Sequence, residues 1–341
     1  MSLRTPLTEL FGIKHPVMLA GMNVAAGPDL AAAVTNAGGI GVIGGVGYSP
    51  KFLRSQIREL KEGLVDKKAP FGVDLLIPQV GGSARKTNRD YTEGKLPELI
   101  DIIIEEKAAL FVCAIGVPPK EMVDKLHKAG IPCMNMVGAA KHCKKALDVG
   151  MDIICCQGGE GGGHTGDTPT SILIPACVEA VKGRKSPLTG KQVEVVAAGG
   201  IHNGAGLAAA LSFGASAVWV GTRFICAEEA GAPKAHQEAV ISAGPNDTIR
   251  SIIFTGRPLR VRKTPFIMDW EENRQAEIKE KTSKGILPVG YDTDERPWLM
   301  GVVSSEVHEV VPAKKIVEDM VKQAVEHLNR SASFVVSASK L

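Results

Sequence analysis

The stretch richest in possible chemistry is Gln157-Gly-Gly-Glu160-Gly-Gly-Gly-His164-Thr-Gly. An imidazole in a glycine-rich loop can be tuned near neutral pH and can take a proton from a substrate carbon. The competing reading is a loop histidine that only donates to a backbone carbonyl. The other seven histidines carry less. His127, His142, His236, His308 and His327 fall on helix-like stretches and read as surface residues, and His15 precedes the first strand. His202 stands next to Gly200 and could help hold a phosphate. Gly199-Gly200 and Gly221-Thr222 each precede a helix-like segment, an arrangement in which backbone N–H groups cradle anions. Asp74 could accept a hydrogen bond from a ring N–H, or pair with a neighbouring cation. Arg85, Lys86 and Arg89, with Tyr91, offer an anion-attracting loop, although charged loop residues are often merely solvated.

These residues gain meaning from the elements that must present them. From residue 15 to about 225 one unit recurs: a short apolar, β-branched run, a glycine-rich or polar corner, then an amphipathic stretch. The strands fall at 16–20, 40–44, 71–77, 109–114, 132–137, 152–156, 193–198 and 216–220. Helices are expected at 28–37, 51–62, 96–107, 118–129, 139–149, 171–182, 203–213 and from about 224. Strands apolar on both faces that alternate with helices predict a parallel sheet, and eight such units favour a TIM (β/α)8 barrel over an open sheet. Barrel chemistry gathers at strand C-termini, where Ala20-Gly21-Met22, Asp74, Gln157 to His164, Ala198-Gly199-Gly200 and Gly221-Thr222 all lie. The last two glycine sites match the phosphate position that barrels place after strands seven and eight.

Gly39-Ile40-Gly41-Val42-Ile43-Gly44 satisfies GxGxxG, but it spans a strand instead of following one, so a dinucleotide fold is not expected. Residues 78–95 form a long polar connection, of the kind used as lids. The division expected is a barrel over 1–231, a helical cap or brace over 232–330 with helices at 233–243, 269–284 and 313–329, and a tail over 331–341.

Composition narrows the function classes. Forty Lys and Arg against 37 Asp and Glu leave a net charge of +3 over 341 residues, too balanced for a dedicated nucleic-acid binder. At 44% hydrophobic the chain is not disordered, and no apolar run reaches the ~18 residues of a membrane span. The N-terminal residues lack a secretory signal, which predicts an intracellular protein. Seven cysteines in apolar stretches, without a CxxC pair or zinc-ligand spacing, read as reduced, buried thiols. The final Ser339-Lys340-Leu341 spells a peroxisomal import address, which would direct the protein to peroxisomes through the import receptor if its source is eukaryotic.

The glycine loop ending in His164 resembles that of the nitronate monooxygenases, formerly 2-nitropropane dioxygenases. The likeness extends to Ala20-Gly21-Met22, Ala197-Ala198-Gly199-Gly200-Ile201 and Val218-Trp219-Val220-Gly221-Thr222-Arg223-Phe224, in order along the whole barrel. The resemblance implies non-covalent FMN and no metal. Ala20, Gly21 and Met22 would lie along the isoalloxazine, with Asp74, Gln157, Gly162 and Gly163 near the ring. Gly199, Gly200, Trp219, Val220, Gly221 and Thr222 would bind the phosphate, and His164 would be the catalytic base. The implied reaction oxidises alkyl nitronates, or nitroalkanes, with O2 to a carbonyl compound and nitrite. Two departures stand out: Asp74 replaces a common Asn, and Glu-Gly-Gly-Gly-His replaces Glu-Ala-Gly-Gly-His. The same scaffold serves NAD(P)H:quinone reductases and enoyl-acyl-carrier-protein reductases, which are the alternatives, ahead of a non-enzymatic flavin-binding barrel. A small-molecule substrate is expected, with no nucleic-acid or membrane partner, and the C-terminal helices could support a homodimer.

Overall fold

The computed structural model describes residues 2–289, 293 and 295–336. The tripeptide Ser339-Lys340-Leu341 lies outside the described residues. Among the described residues, eleven strands occur in chain order: β1 (Val17–Leu19), β2 (Gly41–Gly45), β3 (Phe71–Ile77), β4 (Leu110–Gly116), β5 (Cys133–Val137), β6 (Ile153–Gln157), β7 (Gly163–His164), β8 (Glu194–Ala198), β9 (Ala217–Val220), β10 (Thr248–Ser251) and β11 (Leu259–Arg262). Eight of them pair in parallel in the order β1-β9-β8-β6-β5-β4-β3-β2. A parallel bridge from Met18 to Ile40 then brings β1 to β2 and closes the ring. The fold is a TIM barrel, as the alternation of units predicts.

Alternation along the strands decides which side chains enter the barrel. Met18, Val42, Val112, Met134, Cys155, Val196 and Trp219 fill the interior. Their neighbours Val17, Ile43, Phe111, Cys133, Ile154, Ala197, Val218 and Val220 face the surrounding helices. Both faces are buried, so the strands read as continuous apolar runs. Helix Pro50–Gly63 shows the outer layer: Ser49 accepts from the Phe52 N–H at its start, and Leu53, Ile57 and Leu60 form the buried stripe. The GxGxxG segment is a packing device. A Cβ on Gly41 would sit 1.9 Å from the Ala31 carbonyl oxygen, so only glycine lets β2 pass helix Pro28–Asn36.

The region after the barrel differs from the helical expectation. It contains helices Lys234–Ile241, Pro265–Asn273, Gln275–Ser283 and Ala313–Ala332, but also the antiparallel hairpin β10–β11. The 269–284 stretch breaks at Arg274 (φ −122°) into two helices. Ala313–Ala332 packs outside the barrel on helix Gly204–Ser212, so closely that a Cβ on Gly204 would meet the Gln323 Cβ at 2.3 Å. The hairpin and residues 299–303 lie at the barrel mouth. All seven cysteines are free and buried. Among the described residues, no helix is long and apolar enough to cross a membrane.

Candidate active site

The C-terminal mouth of the barrel holds a cavity of about 230 Å³. The residues singled out in the sequence converge on it: Ala20, Gly21 and Met22 after β1, Asp74 on β3, Gln157 at the end of β6, Gly162, Gly163 and His164 beyond it, Gly199 and Gly200 after β8, and Trp219, Gly221 and Thr222 around the end of β9. Val220 does not line it. Trp219 points into the barrel, so alternation turns Val220 outward into the helix-facing core, and its carbonyl accepts from the Ala20 N–H at 2.9 Å. The Val220 side chain therefore faces away from the cavity. His202 is also absent from the lining.

Asp74 is the most unusual group in the cavity. Its neighbours Val73 and Leu75 face outward, so the carboxyl points inward, where it is 2% exposed. One oxygen, Oδ1, has no hydrogen-bond partner, and no cation pairs with the group among the described residues. Burial pushes its pKa well above the ordinary carboxylate range, opposed in part by the Ala114 backbone. The sequence alternative of an Asp74 ion pair is therefore not realised. Glycine surrounds the carboxyl because nothing larger fits: a Cβ on Gly21 would fall 2.4 Å from Asp74 Oδ2, and one on Gly44 2.6 Å from Asp74 Cβ. The result is a flat, protein-lined floor with one unanswered polar atom.

His164 is held from two sides. Its backbone forms β7, which pairs with β11 through Leu259 opposite His164 and Arg260 opposite Gly163. Its ring Nε2 lies 3.0 Å from Thr255 Oγ1, and that hydroxyl is also in contact with the Arg257 carbonyl at 3.3 Å. Gln157 braces the loop from beneath, donating to the His164 carbonyl at 2.9 Å and the Gly162 carbonyl at 3.3 Å. Desolvation, and then the nearby Arg257 cation, push the imidazole down to about 4. His164 is thus neutral throughout the physiological range, a reasonable proton acceptor but a weak one.

Much of the glycine run serves the protein itself. Gly158 clears Thr170, where a Cβ would come within 2.0 Å of Oγ1, and Gly162 clears Met300. Glu160 does not face His164. Its carboxylate accepts from the Thr170 N–H (2.9 Å) and hydroxyl (2.7 Å), tying the loop to the start of helix Thr170–Val181. Thr222 Oγ1 accepts from the Gly301 N–H at 2.9 Å, which fastens residues 299–303 across the mouth.

Thr255, Arg257 and Leu299 escaped the sequence reading, and His236, read there as a surface residue, is instead a half-buried lining residue whose Nε2 is 2.8 Å from the Leu299 carbonyl. They sit in the post-barrel region, where no local pattern marks them. Of the loop cations, Arg85 reaches the site, donating to the Gly256 carbonyl at 3.2 Å. Arg89 instead lies over the Tyr91 ring, and Lys86 packs against Gly285. Beyond His164 the mouth opens into a second cavity of about 660 Å³, lined by Arg85, Lys141, His142, Lys145, Arg250 and Arg257 among others.

A parallel (β/α)8 barrel with His164 at the edge of a glycine-rimmed mouth defines a TIM-barrel enzyme. The chain belongs to the nitronate monooxygenase family, an oxidoreductase family whose model, described as nitronate monooxygenase, matches residues 4–327. A Rhodococcus jostii protein described as (3aS,4S,5R,7aS)-5-hydroxy-7a-methyl-1-oxo-octahydro-1H-indene-4-carboxyl-CoA dehydrogenase is 38% identical over 272 residues, 80% of this chain and 69% of that one. The nitronate monooxygenase of Pseudomonas aeruginosa is 32% identical over 74% of this chain and 78% of its own length. Among solved structures, FabK from Thermotoga maritima superposes with a TM-score of 0.78 at 29% identity, covering 98% of this chain and 100% of FabK.

Proposed function

We propose that the protein is an FMN-dependent nitronate monooxygenase that oxidises alkyl nitronates with O2 to a carbonyl compound and nitrite. The observation that carries this reading is the placement of His164, which lines both cavities, beside the Arg257 cation, which lines the outer one and disfavours a charge on the imidazole. An anion entering there meets a positive charge and an imidazole that carries no charge of its own.

The residues present fit FMN. The orphaned Asp74 oxygen on a flat floor suits a polar edge of a ring, and Gly21 and Gly44 keep that floor clear. Ala20, Gly21, Met22, Asp74, Gln157, Gly162 and Gly163 would hold the ring. Gly199 (φ +93°), Gly200 (φ +73°), Gly221, Thr222 and the neighbouring Trp219 would hold the phosphate end. Bound FMN would supply the electron acceptor and the reaction with O2.

His164 would act through Nδ1, since Nε2 is engaged by Thr255. An imidazole held near 4 is poorly matched to removing the α-proton of a neutral nitroalkane, but its neutrality leaves the site open to a nitronate that has already lost it. The preferred substrate is accordingly the anion. The test is anaerobic: mix the flavin-loaded protein with propionate 3-nitronate, and separately with NADH and NADPH, and follow the visible spectrum. Bleaching by nitronate alone supports the reading. Bleaching by a nicotinamide and not by nitronate refutes it.

A second reading, a dehydrogenase or enoyl reductase acting on a thioester, is favoured by one observation. The outer cavity is far larger and more cationic than a small nitronate requires. It also accords with the name of the Rhodococcus relative, a carboxyl-CoA dehydrogenase.

A further inference from the structure

We propose that the outer cavity is a binding site for the phosphorylated adenosine of an organic co-substrate, the class that includes coenzyme A thioesters and NADPH. The inference goes beyond the nitronate reading and does not rest on it.

Charge is the first argument. Arg85, Lys141, His142, Lys145, Arg250 and Arg257 line the cavity, and no carboxylate does. Arg250 is neutralised by Asp167, but Arg85, Lys141, Lys145 and Arg257 have no acidic partner among the described residues. The contrast with Lys144 on the same short helix is instructive, for it pairs with Asp148 at 2.6 Å on the far side. Arg257 is half-buried, and both its desolvation and the repulsion of Arg85 disfavour its charge. Two guanidinium groups held together without an acid form a site that an anion would relieve.

Reach is the second. The outer cavity shares Ala114, Ile115, Met136, Gln157 and His164 with the inner one, so the two adjoin at these residues. A ligand whose phosphates sit among the cations can extend its reactive end past His164. A small nitronate carries one charge, or two where it also bears a carboxylate, and needs no more than Arg257 and one neighbour, whereas three phosphates can engage the whole set. The third argument is Asn135, also on the outer wall. It is 1% exposed, its Nδ2 donates to the Gly116 and Met136 carbonyls, and its Oδ1 has no partner. A buried acceptor without a donor is costly and calls for an N–H from a ligand. The amides of a pantetheine arm and the carboxamide of a nicotinamide both supply one.

The test is equilibrium titration of the flavin-loaded full-length protein by calorimetry, with acetyl-CoA in one arm and NADPH in the other. Binding in either arm supports the site and identifies which source it serves. Charge reversal by Lys141→Glu with Lys145→Glu is expected to weaken binding at least about tenfold, the loss of one charge-assisted contact or more. Salt raised from about 0.01 M to about 1 M, which shortens the screening length from about 30 Å to about 3 Å, is expected to weaken it too. A charge-matched control, Lys314→Glu with Lys322→Glu on the outer helix Ala313–Ala332, is expected to bind as wild type. Unchanged flavin content and circular dichroism verify folding. No binding of either ligand below about 1 mM, an affinity of about −4 kcal/mol, overturns the proposal. So does equal weakening in the two double variants. Because the readout is binding, failure of nitronate turnover with intact binding would count against the nitronate reading alone.

Discussion

Arg257 is the residue on which the anion reading turns. Its guanidinium depresses the His164 imidazole, and its Nε donates to Asn88 Oδ1 at 3.0 Å, linking the 78–95 loop to the site. Arg257→Met keeps a long apolar stem and removes the charge. A hydrogen bond to a charged group contributes about 1.5–3 kcal/mol. At 1.36 kcal/mol per decade this corresponds to a loss of about 10- to 150-fold in kcat/KM for a nitronate. The neutral parent nitroalkane brings no charge to the binding step and draws on that cation only through the charge that develops as its α-proton leaves, so it is expected to lose less. A second effect has a definite sign. Removing Arg257 lifts the Coulombic part of the His164 depression, so its pKa rises from about 4, while desolvation keeps it below the ordinary 6.5. The assay is kcat/KM for nitronate and nitroalkane from about pH 5 to about pH 9, spanning the ordinary imidazole range. The acid limb of the nitronate profile is expected to move upward in the variant. Equal losses for the charged and neutral substrates, or no loss at all, would refute the reasoning. Asn88→Ala serves as the control, because it releases the loop but leaves the cation. A loss of the same size there would assign the effect to loop position instead of charge.

Three further outcomes are expected. Thr255→Val removes the hydroxyl that orients His164 without changing side-chain shape, and should lower kcat about fivefold, the worth of one ordinary hydrogen bond, with Thr255→Ser restoring it; an unchanged kcat would dismiss the contact. Gly21→Ala places a methyl 2.4 Å from Asp74 Oδ2, so the purified variant should carry little flavin, read from its absorbance ratio; full occupancy would show that the floor can yield. Asp74→Asn tests the buried acid. With its folded pKa raised, Asp74 takes up a proton on folding once the pH exceeds the unfolded value, so wild-type stability falls as pH rises from about 4 towards the folded pKa. The Asn variant lacks this slope, and its melting temperature relative to wild type should climb across that interval in the flavin-free protein; a pH-independent difference would mean that the carboxyl is not shifted.

The barrel was legible because each strand is buried on both faces. Ile153-Ile154-Cys155-Cys156 and Ala217-Val218-Trp219-Val220 leave no polar position to blur the pattern, and their observed bounds fall within a residue or two of the sequence reading. The hairpin was not legible for the opposite reason. Thr248–Ser251 and Leu259–Arg262 are four residues each and carry Arg250, Arg260 and Arg262, so they resemble exposed loop. Their partner β7 is only two residues long and lies far earlier in the chain. Val220 shows a limit of reading motifs whole: the run Trp219 to Thr222 reads as one site, whereas alternation turns the Val220 side chain away from the mouth.

The same distinction separates the two halves of the site. Gly21, Asp74, Gln157, His164 and Gly200 could be found because a barrel delivers the ends of its strands to one face, so position in a local pattern fixes position in space. Thr255 and Arg257 obey no such rule. Thr255 meets His164 across 91 residues of sequence, through a turn whose shape depends on Gly256 passing Thr87, where a Cβ would come within 2.1 Å of its hydroxyl. The glycines of the His164 loop belong to both halves. They mark the site in the sequence, yet Gly162 is required because Met300 crosses behind it and Gly158 because Thr170 does. The sequence signal for chemistry is therefore partly a signal for packing by the region after the barrel. That region holds His164 in place and contributes Arg250 and Arg257 to the cations beside it, so differences in reaction within this family are expected to lie in the post-barrel segment more than in the barrel itself.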